Sequence, residues 1–247
     1  MIAGAWVPEE NEITHDTLLR GRVKLLQPRH GFRSSLDPVL LAGFISPPFG
    51  QFLDIGCASG ALSFLLLARD VAAHGLGVEI QPRLAALAGQ GAEANGFADR
   101  FRVVTGDVRG KGTVPAQSFD LVATNPPFRP LGEGVLPPHS EKAMANHEVA
   151  LSVSEWLDVA AAVLSSDGRL ATIFPFDSWE ELRGGLVAQG FSVTRSREVV
   201  SRTGDVPNRV LVEAARAALP ARSEPTLVVH EGNGYSAEVR RMLGEEA

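Results

Sequence analysis

The stretch Gln51–Val71, "QFLDIGCASGALSFLLLARDV", decides the fold of this chain. "QFLDIG" is a short apolar run typical of a buried β-strand, and "SGALSFLLLARDV" is typical of a helix. Gly56 and Gly60 lie between the two, where a tight turn needs residues that tolerate unusual backbone angles. The stretch therefore predicts a strand, a glycine-rich turn and a helix in direct succession.

Strands and helices continue to alternate along the chain. The further strand-like runs are "GLGVEI", "RFRVVTGD", "FDLVATN" and "GRLATIFPF", and the helical segments are "QPRLAALAGQGAEANGF" and "EVALSVSEWLDVAAAVLSSDG". This alternation is typical of βαβ units, so we expect an α/β fold with a mostly parallel sheet and helices on both faces. Ligands of such sheets bind beyond the carboxyl ends of the strands.

The two ends of the chain add further elements. "FSVTRSREVVS" and "NRVLVEAA" are expected to pair as a terminal antiparallel hairpin. Near the start, "KLLQP" predicts a short strand, and "SSLDPVLLAGFI" predicts a helix with a Ser or Asp cap and Pro38 in its first turn. We expect one structural domain, in which residues 1–49 cover the site and residues 50–247 form the catalytic unit. The longest loop is expected at Arg129–Asn146.

The bulk composition excludes several classes of protein. Apolar residues make up 45% of the chain and charged residues 21%, which is typical of compact globular proteins. We find no signal peptide and no membrane-spanning run, so a cytoplasmic protein is expected. The lone Cys57 excludes an internal disulfide, and the six histidines show no metalloprotease spacing, so we expect no metal. The net charge of −6 argues against wholesale coating of nucleic acid.

Three acidic residues end three successive predicted strands. Asp54 precedes the turn that contains Gly56, Ala58 and Gly60, and its spacing differs from the Gly-x-Gly-x-x-Gly pattern of dinucleotide sites. Glu79 ends the second strand, where a carboxylate can accept hydrogen bonds from ribose hydroxyls. Asp107 follows the third strand, within reach of the amino group of an adenine. Together these residues predict an adenosine site.

Several motifs of this chain, taken in order, resemble those of a known enzyme family. Asp-x-Gly-x-x-x-Gly, the strand-end Glu, Gly-Asp and Asn-Pro-Pro-Phe resemble the S-adenosylmethionine-dependent methyltransferases that act on conjugated amino groups. "ITHDTLLRGRVKLLQPRHGFRSSLDPVLLAGF", "NHE" and "NRVLVEA" are similar to the bacterial tRNA adenine-N6 methyltransferases that modify an adenosine beside the anticodon of a valine tRNA. The resemblance implies a Rossmann-like class I fold with a seven-stranded sheet whose last strand is antiparallel. It also implies S-adenosylmethionine as cofactor and tRNA as partner.

The resemblance assigns catalysis to the segment Asn125–Phe128. The Asn125 side-chain oxygen, which also borders the cofactor, and the Pro126 carbonyl would each accept an N–H of the adenine amino group. Pro127 helps to fix the corner, and Phe128 would stack on the base. An adenine must be unpaired or flipped out to reach such a pocket. The expected substrate contacts are Arg20, Arg22, Lys24, Arg33, Arg129 and His147.

Other functions remain open from the sequence. The same corner could methylate a protein glutamine, because an amide nitrogen is also conjugated, or an amino group of ribosomal RNA or DNA. The short segment before Gly50 leaves too little room for an extra helical recognition domain of the kind that a glutamine substrate would need. A cofactor-binding or RNA-binding module without catalysis is the alternative from another class.

Overall fold

The structure is a computed structural model that describes residues 10–115, 119–126, 151–216 and 220–245. The strands are β1 (Ile13–Leu18), β2 (Val23–Pro28), β3 (Phe49–Ile55), β4 (Ala72–Glu79), β5 (Phe101–Thr105), β6 (Phe119–Thr124), β7 (Leu164–Pro175), β8 (Ser192–Val200), β9 (Arg209–Ala215), β10 (Arg222–Ser223), β11 (Leu227–Val228), β12 (His230–Glu231) and β13 (Gly234–Tyr235). The α-helices are α1 (Asp37–Phe44), α2 (Ala61–Ala68), α3 (Pro82–Ala94), α4 (Val153–Val163), α5 (Trp179–Ala188) and α6 (Ala237–Met242).

A mostly parallel sheet forms the centre of the molecule. Its seven long strands lie in the order β8-β9-β7-β6-β3-β4-β5, and the short strands β10 and β11 pair with β8. The pairs β3–β4, β3–β6, β4–β5 and β6–β7 are parallel, whereas β9 is antiparallel to both β7 and β8. The predicted α/β architecture and the terminal hairpin are therefore confirmed. The chain reverses its direction of strand addition at β3, where α/β sheets bind ligands.

Helices cover both faces of this sheet because alternate side chains of each strand point to opposite faces. On one face Phe52 of β3 packs in a core with residues of α1, α2, α3 and α6. On the other face the next residue, Leu53, packs in a core that contains the fully buried Trp156 of α4 and Leu182 of α5. Among the described residues, no helix is long and apolar enough to cross a membrane.

An antiparallel hairpin of β1 and β2 packs against α3. Ile13 and Leu26 form a small core with Leu87, and the Asn95 amide bonds both backbone groups of Lys24 at 2.7 Å. Strand β2 confirms the strand predicted at "KLLQP". The hairpin runs alongside α3. Its open end lies beside the start of that helix, where the Glu12 carbonyl accepts from Arg83, and its turn lies beside the end of the helix, where Asn95 binds Lys24.

Two local predictions were wrong. The capping position before α1 holds Leu36, not Ser or Asp; the Ser35 hydroxyl instead accepts the Asp37 N–H at 3.2 Å, and the predicted position of Pro38 in the first turn is confirmed. The helical pattern extends through Leu164–Asp167, but β7 begins at Leu164. The register between β6 and β7 shifts between Phe119 and Leu121, and sequence periodicity does not reveal such a shift.

Candidate active site

The carboxyl ends of β3, β4, β5 and β6 form one edge of the sheet. Asp54 is paired in register with Gly77 of β4 and with Ala123 of β6, and Glu79 is paired with Thr105 of β5. Asn125 directly follows β6, and Asp107 lies two residues beyond β5. The structure thus places the three predicted acids and the predicted catalytic asparagine on neighbouring strand ends.

Asp54 is a buried acid fixed to helix α2. Its side chain is 1% exposed, and its Oδ2 accepts a hydrogen bond of 2.6 Å from the Ser63 hydroxyl of α2. Burial raises the pKa of Asp54 to about 7, and the nearby charge of Glu79 adds to the effect while the Ser63 hydrogen bond opposes it. Because Ser63 lies in the first turn of α2, this bond fixes the helix amino terminus against the strand end.

The turn between β3 and α2 contains three residues with positive φ. Gly56 has φ 72°, Ala58 has φ 49° and Gly60 has φ 91°. A Cβ on Gly60 would lie 2.6 Å from the Phe64 ring, whereas a Cβ on Gly56 would meet nothing within 4 Å. Gly56 therefore borders open space that a ligand can enter, and Gly60 is needed for close packing of the helix. Ala58 adopts a conformation that is uncommon for residues with a Cβ.

Glu79 connects the end of β4 to this turn. Its Oε2 accepts the Ala58 N–H at 2.9 Å and its Oε1 accepts the Gln81 N–H at 2.8 Å. Burial raises the pKa of Glu79, and these backbone bonds oppose that rise. A carboxylate has about four acceptor positions. Each oxygen therefore retains room to accept one more hydrogen bond, such as one from a ribose hydroxyl.

Asp107 is held by an arginine that sequence reasoning did not single out. Arg109 donates to both carboxylate oxygens of Asp107, with the shortest contact at 2.6 Å, and to Oε1 of Glu155 at 2.8 Å. The hydrogen bond from Arg109 is the main reason that the pKa of Asp107 is lowered. Glu155 belongs to the capping box of α4. The arginine therefore connects the end of β5 to the start of α4, and no sequence motif marks it.

The corner after β6 is described up to Pro126. The buried Thr124 hydroxyl donates to the Ile55 carbonyl at 2.9 Å, which fixes the ends of β6 and β3 side by side. Asn125 is partly exposed and Pro126 is buried. Pro127, Phe128, Arg129 and His147 lie outside the described residues, as does the predicted loop Arg129–Asn146.

The predicted substrate cations separate into two groups. Arg33 lies at the open end of the hairpin, where it donates to Thr14, to the Pro28 carbonyl and to Asp16, the last at 2.7 Å. Arg20, Arg22 and Lys24 are exposed at the turn of the hairpin, beside the end of α3. The structure therefore does not bring these three residues to the edge that carries Asn125.

Cys57 is a packing residue beside this edge. Cys57 is buried, and a Cβ on Gly77 would lie 2.6 Å from its Sγ, so the thiol fills a tightly packed position. Burial also raises the pKa of the Cys57 thiol. In the described ranges, no group of three His, Cys, Asp or Glu side chains is placed to hold a metal ion.

Known proteins are similar to this chain along most of its length. The profile of the family "Methyltransferase small domain" matches residues 37–175. A protein of Porphyromonas gingivalis named tRNA1(Val) (adenine(37)-N6)-methyltransferase is 33% identical over 216 residues, which cover 82% of this chain and 83% of the relative. A protein of the same name from Tolumonas auensis is 28% identical over 222 residues, which cover 89% of this chain and 91% of the relative.

Solved structures show the same fold. A predicted O-methyltransferase from Agrobacterium tumefaciens superposes with a TM-score of 0.67 at 23% identity, covering 83% of this chain and 94% of that chain. P. horikoshii TYW2 in complex with MeSAdo superposes with a TM-score of 0.57 at 12% identity, covering 84% of this chain and 73% of that chain. These similarities confirm a Rossmann-like class I methyltransferase fold. With its profile match over more than half of the chain, this protein belongs to the "Methyltransferase small domain" family of methyltransferases.

Proposed function

We propose that this protein transfers a methyl group from S-adenosylmethionine to the exocyclic N6 of an adenosine in tRNA, beside the anticodon at position 37. The relatives that match along most of the chain carry this activity in their names. The structural observation that carries the proposal is the neighbouring placement of Asp54 and Asn125 at the ends of the paired strands β3 and β6. This pair of strand ends can hold a cofactor and an amino group side by side.

The residues at the ends of β3 and β4 fit S-adenosylmethionine. Glu79 has free acceptor positions for the two ribose hydroxyls, and the open space before Gly56 lets the cofactor approach the backbone of the turn. We assign Asp54 to the ammonium group of the methionine part, and Ala58 and Gly60 shape the turn. Asp107, positioned by Arg109, would accept from the adenine amino group of the cofactor. The cofactor supplies an electrophilic methyl group on a sulfonium.

The Asn125–Pro126 corner would activate the adenine nitrogen of the substrate. The lone pair of that nitrogen is delocalised into the ring, so it is a poor nucleophile. The Asn125 side-chain oxygen and the Pro126 carbonyl would each accept one N–H, which favours a tetrahedral nitrogen whose lone pair points at the methyl group. Fixed acceptors of this kind stabilise the positive charge that develops in the transition state. The two acceptors would hold the nitrogen in line with the methyl group that the cofactor would supply, with the carbon–sulfur bond as the bond that would break, and the methylated nitrogen would release a proton to water.

The remaining predicted contacts would position the base. We place Phe128 against the face of the adenine, with Pro127 fixing the corner, and we assign Arg33, Arg129 and His147 to the RNA near the base. Stacking on an aromatic ring is worth about 1–3 kcal/mol per base. A tRNA substrate also implies a cytoplasmic location, which we include in the proposal.

A competition among substrate pools tests the proposal. Purified protein is incubated with methyl-labelled S-adenosylmethionine and, separately, with total tRNA, ribosomal RNA, DNA and a protein extract. We expect label only in tRNA, recovered as N6-methyladenosine after digestion. Label in protein glutamine, ribosomal RNA or DNA would contradict the substrate, and cofactor binding without any label would favour a binding module.

A further inference from the structure

The turn of the β1–β2 hairpin concentrates positive charge at the amino end of the sheet. Arg20, Arg22 and Lys24 are all exposed there, and none of the described carboxylates forms an ion pair with them. Like charges this close repel each other, so the cluster is unfavourable without a partner. An anion that binds the cluster would remove this repulsion.

A fourth cation lies beside the same turn, at the end of α2. Arg69 follows α2 and donates a hydrogen bond to the Met242 carbonyl at the end of α6. Its Nε is buried without a hydrogen-bond partner among the described residues. Gly244, two residues beyond that carbonyl, packs against Leu19, so Arg69 lies beside the hairpin turn. Burial lowers the pKa of Arg69, and the charge of Arg22 lowers it further. The carboxylate of the adjacent Asp70 faces Arg100 instead, at 3.7 Å.

The backbone of the hairpin turn is strained. Leu19 has φ 48° and Arg20 has φ 56°, and both carry a Cβ that disfavours this conformation. Gly21 continues the positive φ at 89°, and a Cβ built on Gly244 lies 3.2 Å from the Leu19 Cα. Packing of the end of the chain against the turn thus helps to hold the strained conformation. Strain of this kind is often found at binding sites.

This surface lies far from the methyl-transfer corner. Val71, two residues after Arg69, accepts a backbone bond from Phe49 at the amino end of β3. The parallel neighbour β4 has eight residues, which corresponds to about 23 Å between its two ends. The hairpin extends alongside α3 from one end of that helix to the other, so it provides a continuous surface between its own turn and the edge where the strands end.

We propose that Arg20, Arg22, Lys24 and Arg69, here called the Arg22–Arg69 surface, bind phosphates in a helical stem of the tRNA, away from the methylated base. Arginine suits this role because its planar donors match phosphate oxygens. The inference rests on the proposed function for the identity of the RNA, and it assigns to these cations a role in affinity, not in chemistry.

The test compares two variants with matched loss of charge. Arg20→Asn/Arg22→Gln removes two cations from the surface, and Asn tolerates the positive φ of residue 20. Arg183→Gln/Arg216→Gln removes two exposed cations on the α4–α5 side of the sheet. Binding of full-length tRNA and of a short oligonucleotide with only the anticodon loop is measured over a series of salt concentrations. Thermal melting of each variant verifies folding.

The surface variant should bind full-length tRNA roughly tenfold more weakly than the control variant. The slope of the logarithm of its binding constant against the logarithm of the salt concentration should be smaller in magnitude by about 1.5. Its affinities for the loop oligonucleotide and for S-adenosylmethionine should match those of the control variant, and its defect in methyl transfer should lie in KM for tRNA. Equal tRNA affinities and salt slopes for the two variants would overturn the inference, as would a loss confined to kcat. Because tRNA binding is measured separately from methylation, the experiment can contradict the binding role of this surface while the wild type still methylates tRNA. It can equally support that role if the wild type methylates no tRNA.

Discussion

The backbone N–H of Ala58 donates to Oε2 of Glu79 across 2.9 Å, and this bond joins the glycine-rich turn to the end of the neighbouring strand. Glu79 thereby orders the turn that we assign to the cofactor while it keeps acceptor positions for the ribose. One carboxylate therefore has a structural and a binding role. Substitution at this position should affect both.

We predict that Glu79→Gln weakens S-adenosylmethionine binding by roughly 10- to 100-fold, because the amide replaces one acceptor oxygen by a donor and leaves a buried group unpaired. Isothermal titration calorimetry measures the affinity. Glu180→Gln on α5 is the control, since Glu180 is largely exposed and pairs only with Arg183 among the described residues. Equal affinities of the Glu79 variant and the wild type would refute the assignment.

The buried Asp54 predicts a pH dependence of stability. Its pKa is raised from 3.8 to about 7 on folding, so protonation of Asp54 favours the folded state. This contribution to the free energy of unfolding is fully present below about pH 4 and is lost as the pH rises through about 7. For a shift of about three units, this loss is on the order of 4 kcal/mol. Asp54→Asn should therefore lose less stability than the wild type between about pH 5 and pH 8, as measured by urea denaturation without cofactor. Identical losses would contradict the burial of an ionisable group here.

The same group predicts that cofactor binding strengthens with pH. The ammonium group and the sulfonium of S-adenosylmethionine are positively charged, so they favour the ionised form of Asp54. We expect the affinity of the wild type to rise between about pH 6 and pH 8, and the rise to be smaller in Asp54→Asn. Calorimetry over this range measures both. A flat profile for the wild type would place the cofactor away from Asp54.

Gly60 predicts a steric effect on stability. A Cβ there would lie 2.6 Å from Phe64, in a backbone conformation with φ 91°, so Gly60→Ala should destabilise the protein by about 1–3 kcal/mol. Gly184→Ala in helix α5 is the matched control, because its Cβ would meet nothing within 4 Å and alanine favours the helix by up to about 1 kcal/mol. Chemical denaturation measures both, and destabilisation of the two variants by the same amount would contradict this reasoning.

The sequence predicted the parts of the fold whose pattern is local. Apolar runs indicated the strands of the sheet, and the order of elements indicated that Asp54, Glu79 and Asp107 end neighbouring strands. Since parallel strands end at a common edge, the shared position of these three acids follows from the order of the elements alone. The hairpin of β8 and β9 was equally evident from two alternating runs that flank a turn.

Features that depend on distant contacts were missed. β1 has the sequence "ITHDTL", which contains too many polar residues to be predicted as a strand. Pairing with β2 and packing on α3 stabilise it. Arg109 carries no motif, and its bridge between Asp107 and Glu155 joins residues far apart in sequence. The hairpin cations were predicted to contact the substrate, and only the pairing of Lys24 with Asn95 shows that they lie at the far end of the sheet from Asn125.

Replacement of Asn125 by alanine tests the central claim most directly. Wild type and Asn125→Ala are compared for S-adenosylmethionine affinity by calorimetry and for N6-methyladenosine formed in tRNA by mass spectrometry of digested nucleosides. We predict that the wild type forms N6-methyladenosine and that the variant binds the cofactor but forms it about 10²- to 10³-fold more slowly, because a fixed acceptor for the amino group is lost. An unchanged rate in the variant would contradict the account.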